Sequence, residues 1–400
     1  MIKKTAAALL ILAGAFYSPA LSQTSAGAPE QAVRLGYLEL ANDPRYASDA
    51  AYAGIVLRAM GRPFAGAEVG VEEANTIGRF IHISFEMAKA SAPSADGLAE
   101  AARDLNGRGA QFILTDLPGD ALADLSRAAA ALPVTFFNVS APDNDLRGAR
   151  CAANVFHTAP SDAMKSDALA QFLATRRWRD VLVLKGPSAR DGEEAQSFKQ
   201  SAQKFGLRIV DERSFSLSRN PAMREENNVA LLTQGANYDV VFVADDSNDY
   251  ARYVPYRTVL PRPVVGDAGL QAEAWSWLWD RNGAPQLQHR FEKAAFPRRM
   301  NGAAWAAWAA VKAVAQAALR TRSADYATLK SFLSSEELDL DTDKGRPGSF
   351  RSWDRQLRQP ILLATDSAVI ATAPLPQFLH RTNVLDTLGA DEPESQCRLR

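Results

Sequence analysis

Short apolar runs alternate along the chain with segments of helical periodicity. Strands are predicted at Val33–Leu40 and Arg79–Ala90, with a helix over Ala67–Ile81 between them. The order continues with a helix at "SADGLAEAARDLNGRGA", a strand at "QFILTDLPG", a helix at "DALADLSRAAAALP" and a strand at "VTFFNVSAPDNDLRG". Strands that alternate with helices in this way predict a parallel, doubly wound sheet.

The same pattern restarts at "SDAMKSDALAQFLATRRW", a long amphipathic helix that Ser161 is expected to cap. Strands are then predicted at "DVLVLKGPSARDG", "LRIVDERSFSLS", "DVVFVADDSND" and "RPVVGDAGL". Helices are predicted between them at "EEAQSFKQSAQKFG", "RNPAMREENNVALLTQGANY" and "YARYVPYRTVLP". The pattern therefore predicts a second α/β set.

The last part of the chain departs from this alternation. "AEAWSWLWDRNGAP" is interpreted as an amphipathic helix with Trp275 and Trp279 on one face toward the core, although its indoles could also line a cleft. Helices are predicted at "MNGAAWAAWAAVKAVAQAAL" and near Asp325–Leu333, and a β-hairpin or pair of strands in "DTDKGRPGSFRSWDRQLRQPILLATDSAVIATA". The late helices predict several crossings between two lobes.

The N-terminus "MIKKTAAALLILAGAFYSPALSQ" has the features of a secretory signal peptide. Lys3 and Lys4 form a basic region, an apolar segment follows, and Ala20–Ser22 offers a small-residue cleavage site. The apolar segment is short for a membrane span, and no cysteine follows it for lipid attachment. The expected product is a soluble protein exported to the bacterial periplasm.

The composition is that of an ordinary globular protein with balanced charge. The 400 residues include 45 Lys and Arg and 46 Asp and Glu, without a basic block that would favour nucleic acid. A chain of this length favours two domains over one core. The only cysteines, Cys151 and Cys397, are expected to form one disulfide in an exported protein, and two free thiols are the alternative.

Two longer stretches carry a resemblance to a known family. "NVFHTAPSDAMKSDALAQFLATRRWRDVLVL" resembles the crossover of the type I periplasmic binding proteins, and "GRPGSFRSWDRQLRQPILL" resembles their closing motif. The nearest branch is the Leu/Ile/Val type of ABC-transporter receptor. More narrowly, five stretches resemble the subgroup associated with PQQ-dependent alcohol dehydrogenase systems. They are "NVFHTAPSDAM", "REENNVALLTQGANYDVVFVAD", "GAPQLQHRF", "SFRSWDRQLRQPILL" and "NVLDTLGADEPESQCR".

The resemblance implies an α/β fold of two doubly wound parallel-sheet lobes joined by several hinge crossovers. After a signal peptide at 1–22, lobe one is expected at 30–152 plus about 275–345. Lobe two and the hinge and tail are expected at 153–274 plus about 346–400. The implied protein is a monomeric periplasmic receptor that binds a small-molecule or ionic ligand and serves the permease and ATPase of an importer linked to PQQ-dependent alcohol oxidation.

Ligands of doubly wound sheets bind beyond the carboxyl ends of the strands, where this chain places polar loops. The resemblance implies that Thr115 and Ser140 hold a ligand carboxylate from lobe one. Asp191 and Asp245–Asp246 stand where the family has tyrosines, so the amino acid signature is broken. The candidate ligand-binding residues are Thr115, Asp116, Ser140, Asp143, Asp191, Asp245, Asp246 and Asp267.

Two interpretations of these aspartates stay open. Several carboxylates in one cleft would favour a cationic ligand or a hard metal ion with oxygen ligands. Alternatively, the aspartates are ordinary helix N-caps and turn residues.

Enzymatic activity is not expected, because the four histidines lack metal-ligand spacing and no G-x-S-x-G, Walker A or G-x-G-x-x-G motif is present. No cofactor is expected. His157, beside the crossover, could have a hinge role or simply be a packed histidine. A sensor that passes ligand or metal occupancy to a membrane partner remains the alternative to an importer receptor.

Overall fold

The described part of the chain contains three β-sheets. The structure is a computed structural model that describes residues 31–46, 61–217 and 225–399, so the predicted signal peptide lies outside it. The strands are β1 Gln31–Leu40, β2 Ile83–Ala92, β3 Phe112–Asp116, β4 Thr135–Asn138, β5 Val155–His157, β6 Asp180–Lys185, β7 Arg208–Ser214, β8 Val240–Ala244, β9 Val264–Gly266, β10 Gln271–Glu273, β11 Ile361–Ala364 and β12 Val369–Ala373.

Helices cover these sheets. They are α1 Phe64–Gly78, α2 Leu98–Gly107, α3 Gly119–Ala128, α4 Asp162–Arg176, α5 Ala189–Lys204, α6 Val229–Thr233, α7 Ala284–Ala295, α8 Gly302–Thr321 and α9 Tyr326–Leu333. The helix starts follow from local chemistry. Ser161 caps α4 by accepting a hydrogen bond from the Met164 amide at 3.2 Å, as predicted, and Asn301 caps α8 in the same way.

The first sheet is parallel with strand order β2-β1-β3-β4-β5. Its strands are continuous apolar runs because helices bury both faces. Phe112 and Leu114 pack against α1 and α7–α9 on one face, whereas Ile113 packs against α2 and α3 on the other. We call this sheet with its six helices lobe one.

The second sheet is also parallel, with strand order β7-β6-β8-β9, and it packs against α4 and α5 on one face. The third sheet, β10-β11-β12, is antiparallel. Its Ile361 and Leu363 share a core with α4 and α5, so the third sheet joins the second. We call these two sheets with α4–α6 lobe two. The predicted α/β class and the two parallel sheets are thereby confirmed.

The chain passes between the lobes at 158–161, 274–283 and 334–360. The first sheet extends to Val155–His157, beyond the boundary at 152 that the sequence suggested. His157 is buried in this last strand, where its Nδ1 lies 3.0 Å from the Asn138 amide nitrogen. Burial and the nearby Arg147 lower the pKa of His157, which fits a packed histidine at the hinge.

The predicted amphipathic helix with Trp275 and Trp279 is wrong. Residues 274–283 form turns and bends between β10 and α7. Trp275 is buried because its ring stacks on Trp305 of α8 at 6.4 Å, and Trp279 donates from Nε1 to the Asp343 carbonyl at 3.0 Å. The helical spacing of the indoles therefore reflects packing against α8 and a neighbouring loop.

Three other elements differ in extent from their predictions. The strand expected from Arg79 begins only at Ile83, and Phe80 is exposed. The helix expected around "RNPAMREENNVALLTQGANY" is confined to Val229–Thr233 among the described residues, and "YARYVPYRTVLP" contributes a 3-10 helix at Ala251–Tyr256. Neither short helix buries a complete amphipathic face.

The predicted disulfide is confirmed. Cys151 precedes β5 in lobe one, and it bonds to Cys397, 246 residues later, with the two Cα atoms 5.6 Å apart. Among the described residues, no helix has both the length and the apolar character needed to cross a bilayer.

Candidate functional site

The carboxyl edges of the two parallel sheets meet beside the first crossing. The Asp162 amide donates to the Pro142 carbonyl at 2.9 Å, and the Ala163 amide donates to the Asn144 side-chain oxygen at 2.8 Å. The Asn144 amide group in turn donates to the Ser197 hydroxyl at 3.2 Å. The loop after β4 therefore touches the first turn of α4 and one face of α5, and the polar loops of both lobes border one cleft.

Asp116 is the centre of the lobe-one edge. It ends β3 with a fully buried carboxylate. Tyr46 donates its hydroxyl to this carboxylate at 2.8 Å, Arg45 donates from Nη2 at 3.2 Å, and Tyr37 donates at 3.3 Å. A buried carboxylate is tolerated when it is paired and hydrogen-bonded, and Asp116 has both kinds of partner.

Arg45 connects this carboxylate to the loop after β4. Its Nη2 lies 2.6 Å from Asp43, and its Nη1 donates to the Ser140 hydroxyl at 3.1 Å. Burial acts to lower the pKa of Arg45, but the hydrogen bond with Asp43 and the charge of Asp116 outweigh it, so the pKa is raised. Arg45 therefore stays charged beside the Ser140 hydroxyl.

Two further cations complete the edge. Arg62 Nη1 lies 3.5 Å from Glu39 and 3.6 Å from Asp116, and Lys89 lies 3.0 Å from Glu39. The cationic side chains are 21–39% exposed, whereas the carboxylates beneath them are at most 8% exposed. We call Arg45, Arg62 and Lys89 the cationic edge, because lobe one presents positive groups over buried negative ones.

Other predicted lobe-one residues support the loops. Thr115 is buried and donates its hydroxyl to the Phe137 carbonyl at 3.0 Å. The backbone amides of Ser140 and Ala141 donate to the Asn138 side-chain oxygen at 3.3 and 2.9 Å, so both amides are already occupied within lobe one. The Asp143 carboxylate lies against Gly119 at the start of α3, where a Cβ would come within 2.0 Å of it.

Two predicted lobe-two carboxylates hold backbone. Asp191 accepts from the Ser188 amide and from the Asp246 amide, both at 2.9 Å, and it forms a capping box with Ser188 at the start of α5. Asp245 accepts from the Ser247 hydroxyl at 2.6 Å and from the Tyr250 and Ala251 amides at 2.8 Å. Both are buried, and both oxygens of each carboxylate are occupied.

Three further carboxylates, Asp246, Asp267 and Glu194, lie near one another at the lobe-two edge, and we call them the acidic edge. Asp246 is exposed and Asp267 is half-buried. Asp267 accepts from the Asp245 amide at 2.6 Å and also hydrogen-bonds the Glu194 side chain. Burial and the charge of Asp267 raise the pKa of Glu194 well above its ordinary value, so Glu194 holds its proton more tightly than a solvated glutamate.

Two cationic side chains lie near the acidic edge. Arg190 pairs with the buried Asp162 at the start of α4, and the charges of Lys165 and Arg190 both act to lower the pKa of Glu194. Within residues 31–46, 61–217 and 225–399, no three His, Cys, Asp or Glu side chains are arranged so that they could hold a metal ion. The arrangement offers ionic and hydrogen-bonding contacts to a small molecule.

The structure brings Thr115, Asp116 and Ser140 together on one edge and Asp191, Asp245, Asp246 and Asp267 on the other. Their ligand contacts stay a prediction. The cationic edge and Glu194 were not predicted from the sequence. The signal for Arg45 was present, because "ANDPRYASD" follows β1 at the same carboxyl edge, but it was interpreted only as a turn.

Sequence comparison links the chain to one family. The family model described as "Periplasmic binding protein" matches residues 57–255. This range contains α1–α6 and most strands of the two parallel sheets. No curated protein matches the sequence.

Solved structures show the same fold at low sequence identity. A branched-chain amino acid ABC transporter periplasmic ligand-binding protein from Burkholderia xenovorans has a TM-score of 0.70 at 14% identity, covering 92% of this chain and 99% of its own. A leucine-, isoleucine-, valine-, threonine- and alanine-binding protein from Brucella ovis, in its closed conformation, has a TM-score of 0.69 at 15% identity, with the same coverage of both chains. The solute binding protein of an ABC transporter from R. palustris, in complex with benzoate, has a TM-score of 0.62 at 14% identity, covering 92% of this chain and 100% of its own.

Proposed function

We propose that this chain is the substrate-binding protein of an ABC importer and that it captures a small polar molecule between its lobes. The match of residues 57–255 to the periplasmic binding protein family model and the shared fold support this proposal. Proteins of the same fold include an amino acid-binding protein and an ABC-transporter solute binding protein in complex with benzoate, which supports a small organic ligand over a macromolecule. An enzymatic role is not proposed.

The observation that carries the ligand class is that the groups exposed at the two edges differ in sign, cationic side chains at lobe one and carboxylates at lobe two. The cationic edge offers Arg45 beside the Ser140 hydroxyl, and the acidic edge offers Asp246 and Asp267. A ligand with a carboxylate or other acceptor at one end and a cationic or donor group at the other would satisfy both edges. Closure of the lobes on such a ligand would exclude water and strengthen both contacts.

We further propose that the importer is linked to periplasmic, PQQ-dependent alcohol oxidation. The support is the resemblance of "REENNVALLTQGANYDVVFVAD" and "NVLDTLGADEPESQCR" to the subgroup associated with PQQ-dependent alcohol dehydrogenase systems. Deletion of the gene in the source bacterium should reduce growth on, or oxidation of, alcohols while leaving growth on other carbon sources unchanged. Equal effects on all carbon sources would remove this link and leave receptor function intact.

The alternative is a periplasmic sensor for a cation or metal ion held by the aspartates. Asp191 and Asp245 have both oxygens occupied by backbone or hydroxyl donors, which leaves Asp246 and Asp267 as the available aspartates. Pulldown from membranes distinguishes the two roles, because a receptor recovers the permease and ATPase whereas a sensor recovers another membrane partner.

Native mass spectrometry of the purified protein, followed by calorimetry, tests the ligand class. The panel contains small monocarboxylates, amino acids and betaines, primary amines, alcohols, Ca²⁺ and Mg²⁺. We expect binding of a molecule that has an acceptor group at one end and a cationic or donor group at the other. The metal ions should give no heat of binding. Binding of Ca²⁺ or Mg²⁺ alone would favour the sensor, and an intact fold with no binding from any class would oppose the proposal.

A matched pair of variants connects the ligand to the cationic edge. Arg45→Met should weaken binding of the best panel member by about tenfold or more, since a charge-assisted contact is lost. Arg108→Met is the control, because its ion pair with Asp104 on α2 is exposed and lies away from the cleft. Equal affinity in both variants would place the ligand elsewhere.

A further inference from the structure

The C-terminal tail, residues 383–399, is bound to lobe two at one point and to lobe one at another. At the lobe-two end, the Gly389 amide donates to Asp167 of α4 at 2.8 Å. Lys204 of α5 donates to the Gly389 carbonyl at 2.9 Å, and Leu388 lies in the core shared by α4 and α5. Asp167 and Leu388 are buried, so this end of the tail is part of lobe two.

Local geometry fixes this attachment. Gly389 has a φ of +82°, and a Cβ there would lie 3.0 Å from Met164. The preceding turn is held by Asp386, which accepts from Arg351 Nε at 2.9 Å and from Arg358 Nε at 2.8 Å, all three being buried. Because Arg351 and Arg358 belong to the 334–360 crossing, the tail is anchored to lobe two and to a hinge segment together.

At its other end the tail is covalently attached to lobe one. Cys397 bonds to Cys151, which lies in the loop between the 3-10 helix Asn144–Arg147 and β5. The groove beside Cys151 has a volume of about 340 Å³ and is lined by lobe-one residues that include Ser126, Asn154 and Lys330. The attachment point is therefore on lobe one.

The segment between the two anchors is short and folded. Seven residues lie between Gly389 and Cys397, and the eight backbone steps reach about 28 Å at full extension. They include a 3-10 turn with a capping box between Asp391 and Glu394, and Ala390 accepts from Arg351 and Trp353 at 3.4 Å. Separation of the anchors must first break these contacts and is then limited by the chain itself.

We propose that residues 389–397 and the Cys151–Cys397 disulfide form a strap that limits how far the two lobes separate. It adds a covalent fourth connection to the three crossings of the chain and acts beside the hinge. The strap holds the open receptor near the geometry from which it closes, which reduces the conformational change that ligand binding must drive. The strap rests on the proposed function only in one respect, namely that the two lobes move relative to each other.

The test compares three forms of the full mature chain without any ligand. One is the wild type, one is the Cys151→Ser/Cys397→Ser double variant, and one carries six Gly and Ser residues inserted after Ala390. The insertion keeps the disulfide and changes loop-closure entropy little, because the closed loop is already long. It therefore separates slackening of the strap from loss of disulfide stabilisation.

Spin labels are attached at Arg103 of α2 and at Gln200 of α5, both exposed, through genetically encoded residues whose labelling does not use a thiol. Pulsed electron paramagnetic resonance then measures the distance between the lobes. Both the double variant and the insertion should show a broader distribution shifted to longer distances than the wild type. A wild-type distribution in the insertion variant would overturn the strap, whatever the double variant shows. Since no ligand is used, that result would leave the proposed receptor function standing.

Discussion

Arg147 donates from Nε to the Gln356 side-chain oxygen at 2.9 Å, joining the last loop of lobe one to the final crossing of the chain. The same guanidinium donates to the carbonyls of Ala141, Asp143 and Ala159 at 2.7–3.0 Å. Burial lowers the pKa of Arg147 to about 10, so it remains charged at neutral pH. One buried cation thus organises the hinge where the cleft loops meet.

Arg147→Met should therefore lower the free energy of unfolding by about 3 kcal/mol, because several buried acceptors lose their donor together. Urea denaturation followed by circular dichroism measures the change. Arg150→Met is the control, since its partners Asp120 and Asp145 are largely exposed and it should cost about 0–1 kcal/mol. Similar losses in both variants would show that the Arg147 network is not the hinge support described.

Asp116→Asn should destabilise lobe one by about 2–4 kcal/mol, because Arg45 and Arg62 would lose a buried negative partner while the side-chain volume stays the same. Asp120→Asn on α3 is the matched control, because its side chain is 88% exposed and its loss should cost about 0–1 kcal/mol. Urea unfolding monitored by tryptophan fluorescence measures both. A loss at Asp116 no larger than at Asp120 would mean that the cationic edge is not organised by this carboxylate.

The sheets could be predicted from the sequence because strands buried on both faces appear as continuous apolar runs, as at Phe112–Asp116 and Val240–Ala244. The segment containing Trp275 could not, because the indole is held by Trp305 of another element. The candidate site likewise has a part that could be predicted from the sequence and a part that could not. Strand-end loops locate the edges, but the role of Arg45 depends on Asp116 and Ser140, 71 and 95 residues away in the chain.

Glu194→Gln should change how stability depends on pH. The folded protein keeps a proton on Glu194 above the ordinary pKa of 4.5, whereas the unfolded chain releases it. The unfolding free energy of the wild type therefore falls as pH rises from about 4.5 toward the raised folded pKa, by up to about 1.4 kcal/mol per pH unit. Glutamine cannot titrate, so the variant should gain stability relative to the wild type across this range.

Denaturation midpoints between pH 4.5 and 8 measure this difference, with Glu193→Gln as the control. Glu193 is exposed and pairs with Arg190 at the surface, so its variant should follow the wild-type profile. The groups around Glu194 are Asp162, Lys165, Arg190 and Asp267, and all remain in both variants. If Glu194→Gln and the wild type gave parallel profiles, Glu194 would not retain the proton in the folded protein.

Lys344→Met should have an effect of the opposite sign in the alkaline range. Lys344 is buried, with Nζ donating to the Ala274 carbonyl at 2.9 Å and to Gln359 at 2.8 Å, and lying 3.6 Å from the Trp305 ring centre. Burial lowers its pKa well below the ordinary 10.5, so above the folded pKa the unfolded chain binds a proton that the folded protein does not. The wild-type unfolding free energy should then rise with pH toward 10.5, by up to about 1.4 kcal/mol per pH unit.

Methionine removes this titration while keeping an apolar stem of similar length, so the rise between pH 7 and 10 should be flatter in Lys344→Met than in the wild type. Urea denaturation at four pH values in this range gives the two slopes. Lys293→Met on the exposed surface of α7 is the control and should keep the wild-type slope. Because Lys344 contacts both the 274–283 and the 334–360 crossings, a wild-type slope in Lys344→Met would mean that its ammonium stays charged between them.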